Sequence, residues 1–304
     1  MDNAIRKTSK KLNSIYYNSL YDFQTSDRCE ENYSNKVGGQ KYLDRDAGED
    51  WYGHNEYGNG SAVIKRALLG DKRMYDNLQV KVSELDKELG TFTAKGVMQK
   101  VVKSRRVTVH GKFGDEIDIH KINSGKLDTA WSSKKRETFD GQHKLVTLFI
   151  DLSHNSNVNC KDTLWTTAVT VKLLADLERE GKSVKIIVGG TAQNVLKEDS
   201  IKHVGIGITV KEYNERLAPE RLAAMSHLGF YRSWGFTAYH DHNFGTTQSA
   251  IGSALSYMNQ KELPLNIQEE IEKGHTKLLI ISKSTGKWQA VESIKSARKQ
   301  IENF

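Results

Sequence analysis

The segment from Leu145 to Val188 constrains this chain more than any other. Leu145-Val146-Thr147-Leu148-Phe149-Ile150 is an apolar run that ends in Asp151, as expected of a strand buried on both faces. A polar loop, Leu152 to Asp162, leads into a predicted helix from Thr163 to Glu180 that carries Leu164, Ala168, Val171, Leu174 and Ala175 on one side and stops at Gly181. Ser183 to Val188 then reads as a second buried strand. Strand, loop, helix, glycine and strand make a βαβ unit with a right-handed crossover. Later segments extend the pattern: strands at 206–210, 235–239 and 277–282, helices at 219–228 and 246–260, and a C-terminal helix from Trp288. The expected fold class is α/β, an open, mostly parallel doubly wound sheet over 142–304, preceded by an N-terminal α+β extension.

That extension divides in two on composition. Residues 1–60 are polar, and form an arm or a shell over the sheet. Within them Leu12, Ile15, Tyr16, Leu20 and Phe23 fall at spacings of three or four, which predicts an amphipathic helix that docks on its own domain or on a partner. The run Ala47–Gly60 reads as loop or turns. Residues 61–141 form a basic α+β region, with helices expected at 61–69 and 77–89 and short β-like runs between Thr91 and Gly114.

Charge is placed unevenly over these parts. The chain carries 45 Lys+Arg against 38 Asp+Glu, a formal +7. Residues 1–150 hold 26 and 21, a net of +5, and residues 151–304 hold 19 and 17, a net of +2. The acid-free stretch from Lys95 to Lys112 contains Lys95, Lys100, Lys103, Arg105, Arg106 and Lys112, and Lys134-Lys135-Arg136 adds a second basic cluster. A β-ribbon bearing such a stripe can follow a phosphate backbone; it can equally be a solvated edge whose charges prevent aggregation.

Several classes are excluded. No apolar stretch approaches the roughly 20 residues of a membrane helix, and no apolar core follows the basic residues near the N-terminus as a secretory signal requires. Two cysteines, Cys29 and Cys160, cannot make a disulfide scaffold. The expectation is a soluble, cytoplasmic protein that does not bind membranes. Enzyme signatures are mostly missing: Val188-Gly189-Gly190-Thr191 lacks the ending of a P-loop, and no Gly-x-Gly-x-x-Gly, nucleophile elbow or His-Glu-x-x-His helix occurs.

In an open α/β sheet ligands bind outside the carboxyl ends of the strands, which draws attention to Asp151-Leu152-Ser153-His154-Asn155-Ser156-Asn157. This loop resembles the metal-ion-dependent adhesion site of von Willebrand factor A domains, which open with an apolar strand ending in Asp-x-Ser-x-Ser. The resemblance implies an adhesion-type site at Asp151, Ser153 and Asn155 with Mg²⁺ or Mn²⁺ held by hard oxygen ligands. It also implies a protein partner at the carboxyl edge of the sheet. Asn155 departs from the pattern, and no acid follows the strand that ends at Ser282, so a degenerate site in which Asp151 and Ser153 bond only to their own loop is the alternative. A polar N-terminal half before such a domain, with Trp51-Tyr52-Gly53 and the βαβ unit, is similar to von Willebrand A-like proteins of tailed bacteriophages, which would place the chain in the host cytoplasm.

The stretch His227–Asn243 is the second candidate. Arg232 and Trp234, among Phe230, Tyr231, Phe236 and Tyr239, have the composition that stacks on unpaired bases, although alternation in a strand would bury part of the set. His240, Asp241 and His242 are metal ligands by type but form an incomplete set. These residues give a non-enzymatic adaptor that binds nucleic acid, single-stranded DNA above all, through Lys100, Lys103, Arg105, Arg106, Lys112, Arg232 and Trp234, and that recruits transcription or replication machinery. The alternatives are a metal-dependent hydrolase built from the Asp151 loop and His240–His242, and a protein-interaction module that works with an AAA+ ATPase.

Overall fold

The computed structural model describes residues 4–8, 12–24, 59–90, 105–111, 116–126, 129–137, 145–153, 158–195, 201–215, 218–241, 263–273, 276–281 and 283–302. The chain divides into two units, one formed by Met1–Thr93 and Lys144–Phe304 and the other by Ala94–His143. Among the described residues, 4–8, 12–24 and 59–90 thus fall in the same unit as 145–302.

The larger unit is an α/β fold built on one six-stranded sheet in the order β1-β2-β8-β7-β6-β9. Its strands are β1 (Ala4–Thr8), β2 (Leu12–Tyr17), β6 (Leu145–Asp151), β7 (Ser183–Val195), β8 (Ile201–Lys211) and β9 (Thr276–Ile281). Three of the five pairings are parallel, β2 with β8, β6 with β7 and β6 with β9, and the other two are antiparallel. It follows that β2 and β8 run one way and β6, β7 and β9 the other. The sheet therefore has a carboxyl edge at each end, one outside β6 and β7 and one outside β2 and β8.

The predicted βαβ unit is present. The crossover helix, Leu164–Arg179, lies between β6 and β7, which pair from Leu145↔Ser183 to Asp151↔Gly189. Where the prediction differs is in the length of β7, which continues past the βαβ unit into a long hairpin with β8. Gly189 makes this close approach possible, because a Cβ there would stand 2.1 Å from the carbonyl oxygen of Ile206.

Helices cover both faces of the sheet. In chain order they are α1 (Leu20–Gln24), α2 (Gly60–Leu69), α3 (Lys72–Leu89), α5 (Leu164–Arg179) and α6 (Pro219–Met225), while α4 (Ile119–Asn123) belongs to the smaller unit. The next, α7, runs continuously through Leu228–Phe230, a π-helical segment Tyr231–Gly235 and Phe236–Asp241. The last two are α8 (Leu265–Glu272) and α9 (Lys287–Glu302). One face packs Ile15, Tyr17, Leu148, Ile150, Ile186 and Ile206 against the larger helical layer. On the other, Tyr16, Phe149 and Ile187 meet Leu263 and Ile267 at α8.

Two elements overturn the sequence reading. The Leu12–Phe23 stripe is a strand followed by a short helix, because β2 is inserted into the sheet and is buried on both sides: Ile15 and Tyr17 face one layer and Tyr16 the other. Residues 235–239 are helical rather than a strand. Their aromatic content favours strands, but the buried side of α7 decides, with Phe230, Tyr231, Trp234 and Ala238 all in the core. The helix expected at 246–260 lies outside the described residues.

Buried charges tie the helical layer together. Lys172 on α5 pairs with Asp86 on α3 at 2.7 Å and with Asp176 at 2.9 Å, and Asp176 also receives Arg298 of α9 at 2.8 Å. Removal of one member of such a set leaves an uncompensated charge in the core. No described helix is long and apolar enough to cross a membrane.

The smaller unit contains a three-stranded antiparallel sheet, β3 (Arg105–Gly111), β5 (Trp131–Glu137) and β4 (Glu116–Ile117), in the order β3-β5-β4. Asp118 caps α4, accepting from the backbone N–H groups of His120 at 3.1 Å and Lys121 at 3.3 Å.

Candidate functional site

Asp151 is the last residue of β6 and is fully buried. Its Oδ1 accepts from the backbone N–H of Ser153 at 2.9 Å and from the Ser153 hydroxyl. Both groups of the expected motif are therefore brought together and bonded to each other within the loop. Beside them the chain is tightly packed: a Cβ on Gly190 would come within 2.5 Å of the Tyr231 hydroxyl oxygen and 3.0 Å of Ser153 Cβ. Thr166 on α5 links this edge to the end of β9, accepting from the Ser284 N–H at 2.9 Å and donating to the Ser284 carbonyl at 3.3 Å.

The residue before Ser284 is Lys283. Burial pulls its pKa below the ordinary ammonium value, and the Asp151 carboxylate opposes that pull. The position beyond the later strand thus carries a cation where an adhesion-type site has an acid. A hard divalent ion asks for about six oxygen ligands. Asp151 and Ser153 supply two, and an ammonium within their field repels a metal ion. Among the described residues no group of three or more His, Cys, Asp or Glu could hold a metal. Among the described residues, then, the donor set is short of ligands for Mg²⁺ or Mn²⁺ and has a lysine in the field of its carboxylate. Asn155 and His154 lie outside the described residues.

Helix α7 supports the same edge from behind. His227 precedes it, and its Nδ1 accepts from the Gly229 N–H at 3.2 Å. Burial, with the neighbouring Arg232 charge second, lowers the His227 pKa to about 4, so the imidazole is neutral at pH 7. Arg232 is itself buried; it donates to the Val158 carbonyl at 2.7 Å and to Cys160 Sγ at 3.5 Å. Trp234 has no exposed surface and sits among Tyr17, Phe23, Phe230 and Tyr231 with ring centroids 5.8–6.4 Å apart. Neither residue presents a face to a base, which corrects the expectation that they stack on nucleic acid. Because 240 is in a helix, the shared strand face expected for His240 and His242 has no basis; His242 lies outside the described residues.

The basic residues of the smaller unit behave differently. Arg105 and Arg106 begin β3, whereas Lys100, Lys103 and Lys112 lie outside the described residues. The register of β3 on β5 places Arg106 opposite Arg136, Val107 opposite Lys135 and Thr108 opposite Lys134. Two basic clusters that stand about 30 residues apart in sequence thereby share one ribbon.

Sequence reasoning missed Lys283 and Tyr231 as parts of the Asp151 edge. Lys283 had a readable signal, since it follows a predicted strand parallel to β6; Tyr231 had none. A family model described as "Domain of unknown function (DUF7192)" matches residues 5–299. No curated protein and no solved structure matches the chain.

Proposed function

For this chain, which belongs to the DUF7192 family, we propose a non-enzymatic adaptor that binds single-stranded nucleic acid through the β3–β5 ribbon and a protein partner through the Asp151 edge of the sheet. The observation that carries the reading is the cross-strand register that sets Arg106 against Arg136, with Lys134 and Lys135 on the same strand. Phosphates neutralise such a stripe and release counterions as they do so.

A von Willebrand A-like reading of the larger unit is the finer part of this proposal. It is supported by the βαβ unit, the buried Asp151 at the end of its first strand and the bonded Ser153. In this reading the lysine-balanced edge binds its partner without a metal ion, and the recruited partner belongs to the transcription or replication machinery of a phage-infected cell.

The test is fluorescence anisotropy of the full chain with single-stranded, double-stranded and RNA oligonucleotides across a salt series. Affinity for single-stranded DNA should fall with salt, by a log–log slope of about −0.7 per phosphate contact. Arg106→Ala with Arg136→Ala should weaken binding and flatten the slope by roughly 1.4. Equal affinity and slope in the double variant would remove the nucleic-acid part of the proposal.

A further inference from the structure

The second carboxyl edge of the sheet, outside β2 and β8, holds a cleft of about 330 Å³. That volume is within the range of small-molecule sites. It is lined in part by the end of β8, at Thr209 and Val210, and by Asn18 and Ser19 just after β2. β2 and β8 are a parallel pair, and the crevice outside the carboxyl ends of parallel strands is where α/β sheets bind ligands.

Arg221 of α6 lines this cleft, and its Nε is buried without any hydrogen-bond partner. Among the described residues its guanidinium makes no ion pair. Glu215, the acidic residue in the cleft's lining, accepts through one oxygen from the Glu212 N–H at 2.9 Å. A buried guanidinium nitrogen with no acceptor is costly, and a ligand or ion that supplies the acceptor would remove that cost. Tyr21, which is 68% exposed, and Leu68 add apolar surface to the lining.

We propose that this cleft binds a small anionic molecule whose phosphate or carboxylate group pairs with Arg221 and whose apolar or aromatic body lies against Tyr21 and Leu68. Arginine suits this role because its planar fork meets two oxyanion oxygens at once. The site is independent of the ribbon, so it stands or falls apart from the nucleic-acid reading.

Calorimetric titration of the full chain with phenyl phosphate, benzoate and neutral benzyl alcohol tests it. At least one anion should bind saturably and benzyl alcohol should not. Tighter binding of phenyl phosphate identifies a phosphate ligand, and tighter binding of benzoate a carboxylate. Arg221→Gln should weaken the better anion about tenfold or more, while Arg106→Ala should leave it unchanged. Tyr21→Ala, at a position 68% exposed, should weaken it about threefold even if Arg221→Gln fails to fold. The proposal is overturned if neither anion saturates, if benzyl alcohol binds as well, or if a folded Arg221→Gln or the Tyr21→Ala variant binds with parental affinity.

Discussion

The two carboxyl edges of the one sheet are built on opposite plans. Outside β6 and β7, the described groups are taken up by the chain itself: Asp151 holds Ser153, Lys283 lies in the field of the carboxylate, and Tyr231 fills the space that Gly190 leaves. Outside β2 and β8, among the described residues, the Nε of Arg221 is buried without a hydrogen-bond partner. The first edge was the one that motif reasoning selected, and the second carries no motif. A polar residue at the right place in a fold is therefore a weaker sign of a ligand site than a polar residue that the fold has failed to satisfy.

Substitutions should separate the two edges by size of effect. Gly190→Ala at the packed edge should cost about 3 kcal/mol in urea unfolding, since the new methyl meets a buried tyrosine and overpacking has nowhere to relax; a cost under about 0.5 kcal/mol would show that this edge is looser than its contacts indicate. His227 gives a comparable effect through pH. Its folded pKa, about 4, lies below the ordinary 6.5, so the unfolded chain binds the proton more readily. The stability this contributes is complete above pH 6.5 and is lost as pH falls towards 4, by about 3 kcal/mol in total at about 1.4 kcal/mol per pH unit. His227→Asn, which retains a capping acceptor, should flatten the dependence of the urea midpoint over that window.

Smaller effects sharpen the contrast. A double-mutant cycle on Asp151→Asn and Lys283→Met should return a coupling of about 0.5–1 kcal/mol, reduced by the partial exposure of the lysine. A coupling near zero would mean that the lysine does not balance the carboxylate. At the open edge Asn18→Ala should change stability by less than about 0.5 kcal/mol, measured in the same urea titration, because this edge is shaped for something other than the chain itself.

How far the fold was legible depended on whether neighbours in space were neighbours in sequence. The β6-α5-β7 unit is contiguous, and its buried-strand and helix patterns could be read directly from Leu145 to Val188. β2 could not be read, because Leu12, Ile15, Tyr16, Leu20 and Phe23 match a helical spacing by accident; burial on both faces of an inserted strand removes the alternation that would have marked it. α7 was misread for the opposite reason, as a strand-favouring composition was overruled by packing around Trp234. The candidate sites followed the same rule. Asp151 and Ser153 are two residues apart and were found, the joining of 105–106 with 134–136 needed the β3–β5 register, and Arg221 needed the whole sheet.

Strand β2 pairs with β8 from Leu12↔His203 to Tyr17↔Ile208, and this sets a clock on biosynthesis. The partner of β2 is translated about 190 residues after it, which at typical elongation rates of about 5–20 residues per second is a wait on the order of 10–40 s. Throughout that interval Ile15, Tyr16 and Tyr17 have no sheet to enter, so an apolar strand stays available to chaperones or to another nascent copy. A ribosome-bound fragment ending before residue 203 cannot have paired β2 with β8.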